Sequence, residues 1–402
     1  MQLGWVDFSK KEREKVLDVI NLLAEENAVD ELGIGIIRDS FANLFFPGTS
    51  TVQTRAKYFL IVPYILREAE EGKYGDNPET VLARIDEEER KCALKFLEND
   101  REGVIGARVL PDKWVVRTPS NIYWNGITAL KIFTEENLSI QEYVRLVCSL
   151  RKQKDAVRLG NRNDAEDDGS GDDKDAGDTD GFYFWNLPGT YKTNWKENLR
   201  IRLLPEEAAF LKQQILKAVP GTLFAFLLKN HIDVNKYDTF EALYEDLKYE
   251  VPENLGKDMQ MASEFNSFIQ IAFTQYNLIV SAGKNERALD KWARIKANLD
   301  KYAMIDLDAI FFRFGIANPS LRNFLKGLRT ASLEKDIYRI RQLIINRENN
   351  LKGKARAKVN RVGEFDENAW IGLEWLDYRF SNAKRIINDI YEGEQVTDVQ
   401  DR

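Results

Sequence analysis

"LFFPGTSTVQTRAKYFLIVPYIL", residues 44–66, joins the apolar end of one helical pattern to a second through a Pro-Gly turn, and its reading decides the fold. With Val52, Ala56 and Phe59 on an inner face at i, i+4, i+7 spacing, Gln53, Thr54, Lys57 and Tyr58 point outward. Those residue types can meet base edges or phosphates, and a short Gly-containing turn is what a helix-turn-helix uses. Against this, "FLIVPYIL" is apolar enough to bury most of the helix. Pro63 is also expected to kink or restart it, whereas a recognition helix ends cleanly. Two readings stay open: a nucleic-acid-reading helix-turn-helix and a structural hairpin inside the core.

The flanking sequence is helical in pattern. "FSKKEREKVLDVINLLAEE" offers Ser9 as N-cap with Val16, Ile20 and Leu23 at helical spacing, and a second helix is expected near residues 33–46. Asn77 or Pro78 opens another, with Val81, Ile85, Cys92 and Phe96 facing inward, which makes Cys92 a core thiol. The valine-rich "GVIGARVLPDKWVVRTPS", broken by Pro-Asp, is the β-hairpin candidate, and helices resume in "IYWNGITALKIF" and "SIQEYVRLVCSL". Farther on, "PEEAAFLKQQILKAVPG" places Pro205 at the first helical position with Glu206 and Glu207 at the positive end of the dipole, and Pro220-Gly221 stops it. Residues 258–282 carry Met261, Phe265, Phe268, Ala272, Tyr276 and Ile279 along one face, and Leu333, Ile337, Ile340 and Ile344 repeat the pattern after Ser332. The fold class expected is mainly α, in two helical parts with a small β-hairpin in the N-terminal part.

Charge divides the chain. The net charge is -7, and "NRNDAEDDGSGDDKDAGDTDG" (residues 161–181) holds nine acids against Arg162 and Lys174, a net of -7 in that segment alone. It has no hydrophobic side chain larger than Ala and cannot offset its ordering entropy by burial, so residues 151–181 are read as an acidic disordered linker. A calcium loop with Gly181 at its sixth position would begin at Ala176 and end at Leu187, where carboxylates are required. The expected domains are 1–150, N-terminal and helical, and 182–402, C-terminal and helical. The second contains a basic segment, 321–362, with twelve basic residues against Glu334, Asp336 and Glu348, a net of +9.

That segment is the electrostatic candidate for a phosphate backbone, with Arg347, Lys352, Lys354, Arg356, Lys358 and Arg361 at its densest part and Gln53, Thr54 and Lys57 added from the first stretch. The competing account is a solvated face that balances the acidic linker. A protein-only adaptor would use "GFYFWNLPGTYKTNW", with Tyr183 and Trp185 as partner anchors. Burial of that cluster in its own core is the alternative.

Catalytic signatures are eliminated in turn. His231 is the only histidine, which excludes HExxH zinc sites and paired-histidine nucleases, and its place at the end of an apolar helix suits a capping or surface role. No GxxxxGK[ST] loop occurs, and "GIG" at residues 33–35 has Arg38 where the third dinucleotide-binding glycine belongs. "YEDLKYE" supplies Asp246 and Lys248 at a separation that metal-dependent nucleases use, and it keeps a nuclease as a third reading. No cofactor or metal is expected. Two cysteines are too few for a disulfide scaffold, the longest apolar runs are too short to span a membrane, and no signal peptide is visible, so a cytoplasmic location is expected.

"INRENNLKGKARAKVN", "GLEWLDYRFSNAKRIINDIYEG", "LGWVDFS" and "DSFANLFFPGTSTVQTRAKYFLIVPYIL" together resemble an uncharacterised bacterial family, a domain of unknown function, over nearly the whole chain except the acidic insert. Members of that family tend to lie beside helicases carrying phospholipase D-like nuclease domains in phage-defence islands. The resemblance implies an accessory role in a DNA-directed defence complex and carries no catalytic residues. Its marker residues here, Arg347, Arg356, Asp377, Tyr378, Arg379 and Arg385, could equally hold the fold through Arg-carboxylate pairs. The expectation is a non-catalytic nucleic-acid-binding accessory subunit acting with a helicase and nuclease partner; oligomeric state is left open.

Overall fold

A computed structural model describes residues 30–164, 184–192, 194–197 and 199–395, without the side chains of 155–164. The expected helix around Val16 and most of the acidic stretch, with Tyr183, lie outside the described residues. In chain order the helices are α1 Gly35–Phe45, α2 Tyr58–Glu70, α3 Pro78–Asn99, α4 Pro119–Ala129, α5 Ile140–Asp164, α6 Pro205–Ala218, α7 Leu223–Lys229 and α8 Phe240–Leu247. They continue as α9 Glu253–Val280, α10 Glu286–Ala297, α11 Leu299–Tyr302, α12 Leu307–Arg313, α13 Pro319–Leu333, α14 Ile337–Lys352 and α15 Phe380–Gln395. The chain divides into two compact units, one of residues 1–40 and 257–376, the other of 41–256 and 377–402. Helix α5 continues to Asp164, past residue 150, where the N-terminal part was expected to end.

In the second unit α2 is the central element. Every residue from Tyr58 to Leu66 is buried, and the helix passes through Pro63 without restarting. It is flanked by α3, α4 and α5. Gly126, inside α4, is required by close approach: a Cβ there would stand 2.3 Å from the Gly48 carbonyl and 2.7 Å from the Phe59 ring. Asn77 caps α3 by accepting from the Glu79 and Thr80 amides, and Val81, Ile85, Cys92 and Phe96 are all buried beneath it. Burial pushes the Cys92 thiol up to about 12, as suits an inert core thiol. Tyr378 packs its ring against Phe41, Phe45 and Phe240, and Arg379 donates to the Asn43 side chain and the Thr49 carbonyl, so these two marker residues hold the fold.

The expected β-hairpin is absent: the described residues contain no strand, only an isolated bridge between Phe133 and Trp185. Residues 104–113 instead close on themselves through Ala107 N to Val104 O, Leu110 N to Gly106 O and Lys113 N to Val109 O. Tyr58 Oη takes the Ile105 amide, Arg90 the Pro111 carbonyl and Asp86 the Trp114 indole. With those groups satisfied locally, valine content has no ladder to join.

In the first unit α9 is the core helix, buried almost continuously from Phe268 to Val280. The stripe expected after Ser332, from Leu333 to Ile344, is divided between two helices. Ser332 lies inside α13, with its hydroxyl donating to the Leu328 carbonyl, and α14 is capped by Asp336, which accepts from the Arg339 amide. Leu333 is consequently exposed while Ile340 and Ile344 are buried.

Candidate nucleic-acid interface

The first candidate surface turns inward. Residues 51–57 are not helical, since α2 begins only at Tyr58, so helical spacing counted from Val52 does not apply. Gln53, expected outward, is 2% exposed, and it closes the turn by donating to the Gly48 carbonyl and accepting from the Ser50 amide, each at 3.0 Å. Thr54 donates to the Gly103 carbonyl at 2.6 Å. Arg55 reaches Asp389 on α15 at 2.8 Å, and Asp389 also accepts from the Ala56 amide. Lys57, 4% exposed, donates to both oxygens of Glu207 on α6, at 2.7 and 2.6 Å. Burial lowers its ammonium below the ordinary lysine value, opposed by the Glu207 charge. Tyr58 is buried too, whereas Val52, expected inward, is 38% exposed. The helix-turn-helix reading is corrected to a structural bracket, in which polar side chains satisfy turn backbone and each other instead of facing solvent.

The basic segment keeps part of its charge outward. Arg347 is buried and donates to the Leu32 and Gly33 carbonyls and to Ser320, a structural role. Lys352 pairs with Glu31 and Glu348, both at 3.0 Å, and Lys358 pairs with Glu31 at 2.6 Å. Arg361 pairs with Glu364 at 2.6 Å but is exposed. Lys354 and Arg356 are exposed and make no ion pair among the described residues; Arg356 only donates to the Lys352 carbonyl. Lys335 and Arg341, also among the twelve basic residues of the segment, are exposed and likewise without an ion pair among the described residues.

What sets this sign is Glu348, the only acid between residues 337 and 363. Its side chain is fully buried and points its charge inward, accepting from the Tyr276 hydroxyl at 2.9 Å, the Val359 amide at 3.0 Å and Lys352 at 3.0 Å. Every other charged residue from 337 to 363 is basic; of the exposed ones Arg339 pairs with Glu334 at 2.9 Å and Arg361 with Glu364, while Arg341, Lys354 and Arg356 have no ion pair among the described residues. At a rise of 1.5 Å per residue, α14 alone is about 24 Å long.

The remaining candidates are absorbed by structure. Trp185, proposed as a partner anchor, is 8% exposed: its indole donates to the Tyr143 hydroxyl at 2.9 Å and its ring lies 4.8 Å from that of Phe133. Asp246 accepts from the Tyr237 hydroxyl and Lys248 pairs with Glu245, and no group of three potential metal ligands occurs among the described residues. His231 sits just past α7, exposed as expected, with Nε2 2.6 Å from Lys212 Nζ. No described helix is long and apolar enough to cross a membrane.

Residues 1–142 match a family of unknown function, DUF6361. No curated protein and no solved structure matches the chain. The family match takes in the 44–66 stretch and ends before the basic segment.

Proposed function

We propose that the first unit binds a nucleic-acid backbone through the outward cations of α14 and the following turn, as a non-catalytic accessory subunit. The observation that carries this reading is that Arg341, Lys354 and Arg356 are exposed without an ion pair among the described residues, while Glu348, the acid that lies between them in sequence, is buried and turned inward, in a chain whose net charge is -7. Such a surface meets phosphates rather than base edges, so binding is insensitive to sequence and steeply salt-dependent. The partner that the family resemblance implies is a helicase with a phospholipase D-like nuclease domain, acting in phage defence.

The experiment is fluorescence anisotropy of labelled duplex and single-stranded DNA and RNA with the full chain over a salt series. Weak binding that fades linearly in log-log form supports the reading. Absence of binding to every strand type at low salt overturns it.

A further inference from the structure

The chain from Ala369 to Leu376, in the first unit, is held by its backbone. Asn277 donates to the Ile371 carbonyl at 3.1 Å and accepts from its amide at 2.7 Å, Asn285 donates to the Ala369 carbonyl at 3.2 Å, and Asn266 accepts from the Leu376 amide at 3.0 Å. Side-chain amides that bond a neighbouring backbone at three points fix the direction of the residues between them. Trp370 and Trp375 are thereby both set against Lys291 of α10, whose Nζ lies over each ring, 5.0 Å from the Trp370 centroid and 3.9 Å from that of Trp375. Glu374 completes the surround, with Oε1 at 3.8 Å from that nitrogen and Oε2 taken by Arg287 at 2.6 Å.

The cage suits a cation but not this cation. Two indole faces and a carboxylate attract positive charge. A primary ammonium also brings three N–H donors, and Lys291 Nζ is buried without a hydrogen-bond partner. An unsatisfied buried donor is costly, and burial with Arg287 nearby lowers the Lys291 ammonium to about 8 despite Glu374. A quaternary ammonium carries the same charge with no donor to satisfy, and aromatic surrounds are what recognise such groups. Trp375 is 49% exposed, which gives the cage a side open to solvent.

We propose that Trp370, Trp375 and Glu374 form a site for a quaternary ammonium group, for which the Lys291 side chain competes. The group could be carried by choline-type molecules or by a trimethylated lysine side chain. None of these residues belongs to the proposed phosphate-binding surface, so the two readings stand or fall separately.

The test is a tryptophan-fluorescence titration of the full chain with tetramethylammonium chloride, with sodium chloride at matched concentration as reference. The expected result is a saturable, tetramethylammonium-specific change that Trp375→Ala abolishes. Lys291→Ala should tighten binding by about tenfold, because a competitor that fills the cage most of the time lowers apparent affinity by the open fraction. Circular dichroism checks folding, and Lys291→Ser replaces the alanine variant where that one fails. Choline and a trimethyl-lysine peptide are then titrated to distinguish the two sources. Equal responses to the two salts, an unchanged affinity on removing Lys291, or a signal that survives Trp375→Ala overturns the assignment and leaves a cation-π staple.

Discussion

Lys57 Nζ lies 2.6 Å from Glu207 Oε2, across 150 residues of sequence, with both side chains almost wholly withdrawn from solvent. Glu207 is tied in turn to the Leu204 amide at 2.8 Å, so the pair anchors the start of α6 against the start of α2. Removing one partner leaves a buried charge uncompensated, which costs about 3–5 kcal/mol, far above the cost of losing a surface lysine. Lys57→Ala and Glu207→Ala are expected to fall in that range in urea unfolding. Lys57→Met with Glu207→Leu should recover most of the loss. If Lys57→Ala melts like the parent, the pair is not the anchor described.

Glu89 gives a prediction with a sign in pH. It is buried in α3, accepts from the Ser120 amide at 2.6 Å, and burial, outweighing those Ser120 bonds, raises its carboxyl from 4.5 to about 8. The folded form thus holds its proton to higher pH than the unfolded chain. The stability it contributes is full below about 4.5 and is lost as pH rises towards about 8. Glu89→Gln keeps a carbonyl acceptor and cannot ionise. Relative to the parent, its melting temperature is expected to be similar near the lower end of that window and clearly higher above the upper end. A gap between the two proteins that stays constant across the range would show that Glu89 is not held protonated.

The legible parts of the fold were those specified locally. Asn77 followed by Pro78 and the apolar positions of α3 give the helix directly, and Pro205 with two following acids gives the start of α6. The 44–66 stretch was not readable in the same way, because what turns Gln53, Arg55 and Lys57 inward is Gly48, Asp389 and Glu207, two of them far away in sequence. The basic segment's charge was visible, but its division was not. Glu31, hundreds of residues earlier, takes Lys352 and Lys358 and leaves Lys354 and Arg356. The ammonium cage left a weak trace, Arg287 and Lys291 one helical turn apart and Trp370 and Trp375 bracketing Glu374. The strapping asparagines help bring those two patterns together, alongside the Arg287–Glu374 pair.

Glu348 should matter more than any of the lysines around it. Glu348→Ala strips the acceptor from the Tyr276 hydroxyl, Lys352 and the Val359 amide at once, and leaving such groups buried and unpaired is expected to cost about 3 kcal/mol or more. Because the Val359 bond ties the turn after α14 to its core, that turn should lose its order first. Hydrogen exchange reads this directly: protection at the Val359 amide is expected to collapse in the variant while α9 amides retain theirs. Equal loss in both places would mean that the whole unit, not the turn, depends on this residue.

The division of the basic segment into outward and inward cations predicts two different outcomes from charge removal. Arg341, Lys354 and Arg356 have no ion pair among the described residues to lose, so changing all three to Gln should leave the melting temperature within experimental scatter. Each phosphate contact they make on duplex DNA contributes about -0.9 to the slope of log affinity against log salt, so the triple change should reduce its magnitude by about two to three. Lys352 and Lys358 are already paired with Glu31 and Glu348. Changing those two to Gln should lower stability and leave the salt slope of the folded protein where it was. The comparison needs anisotropy titrations of both variants at several salt concentrations, with thermal melts alongside. A slope that follows the inward pair, or that ignores the outward three, would remove the α14 face from the interface even if the chain does bind nucleic acid.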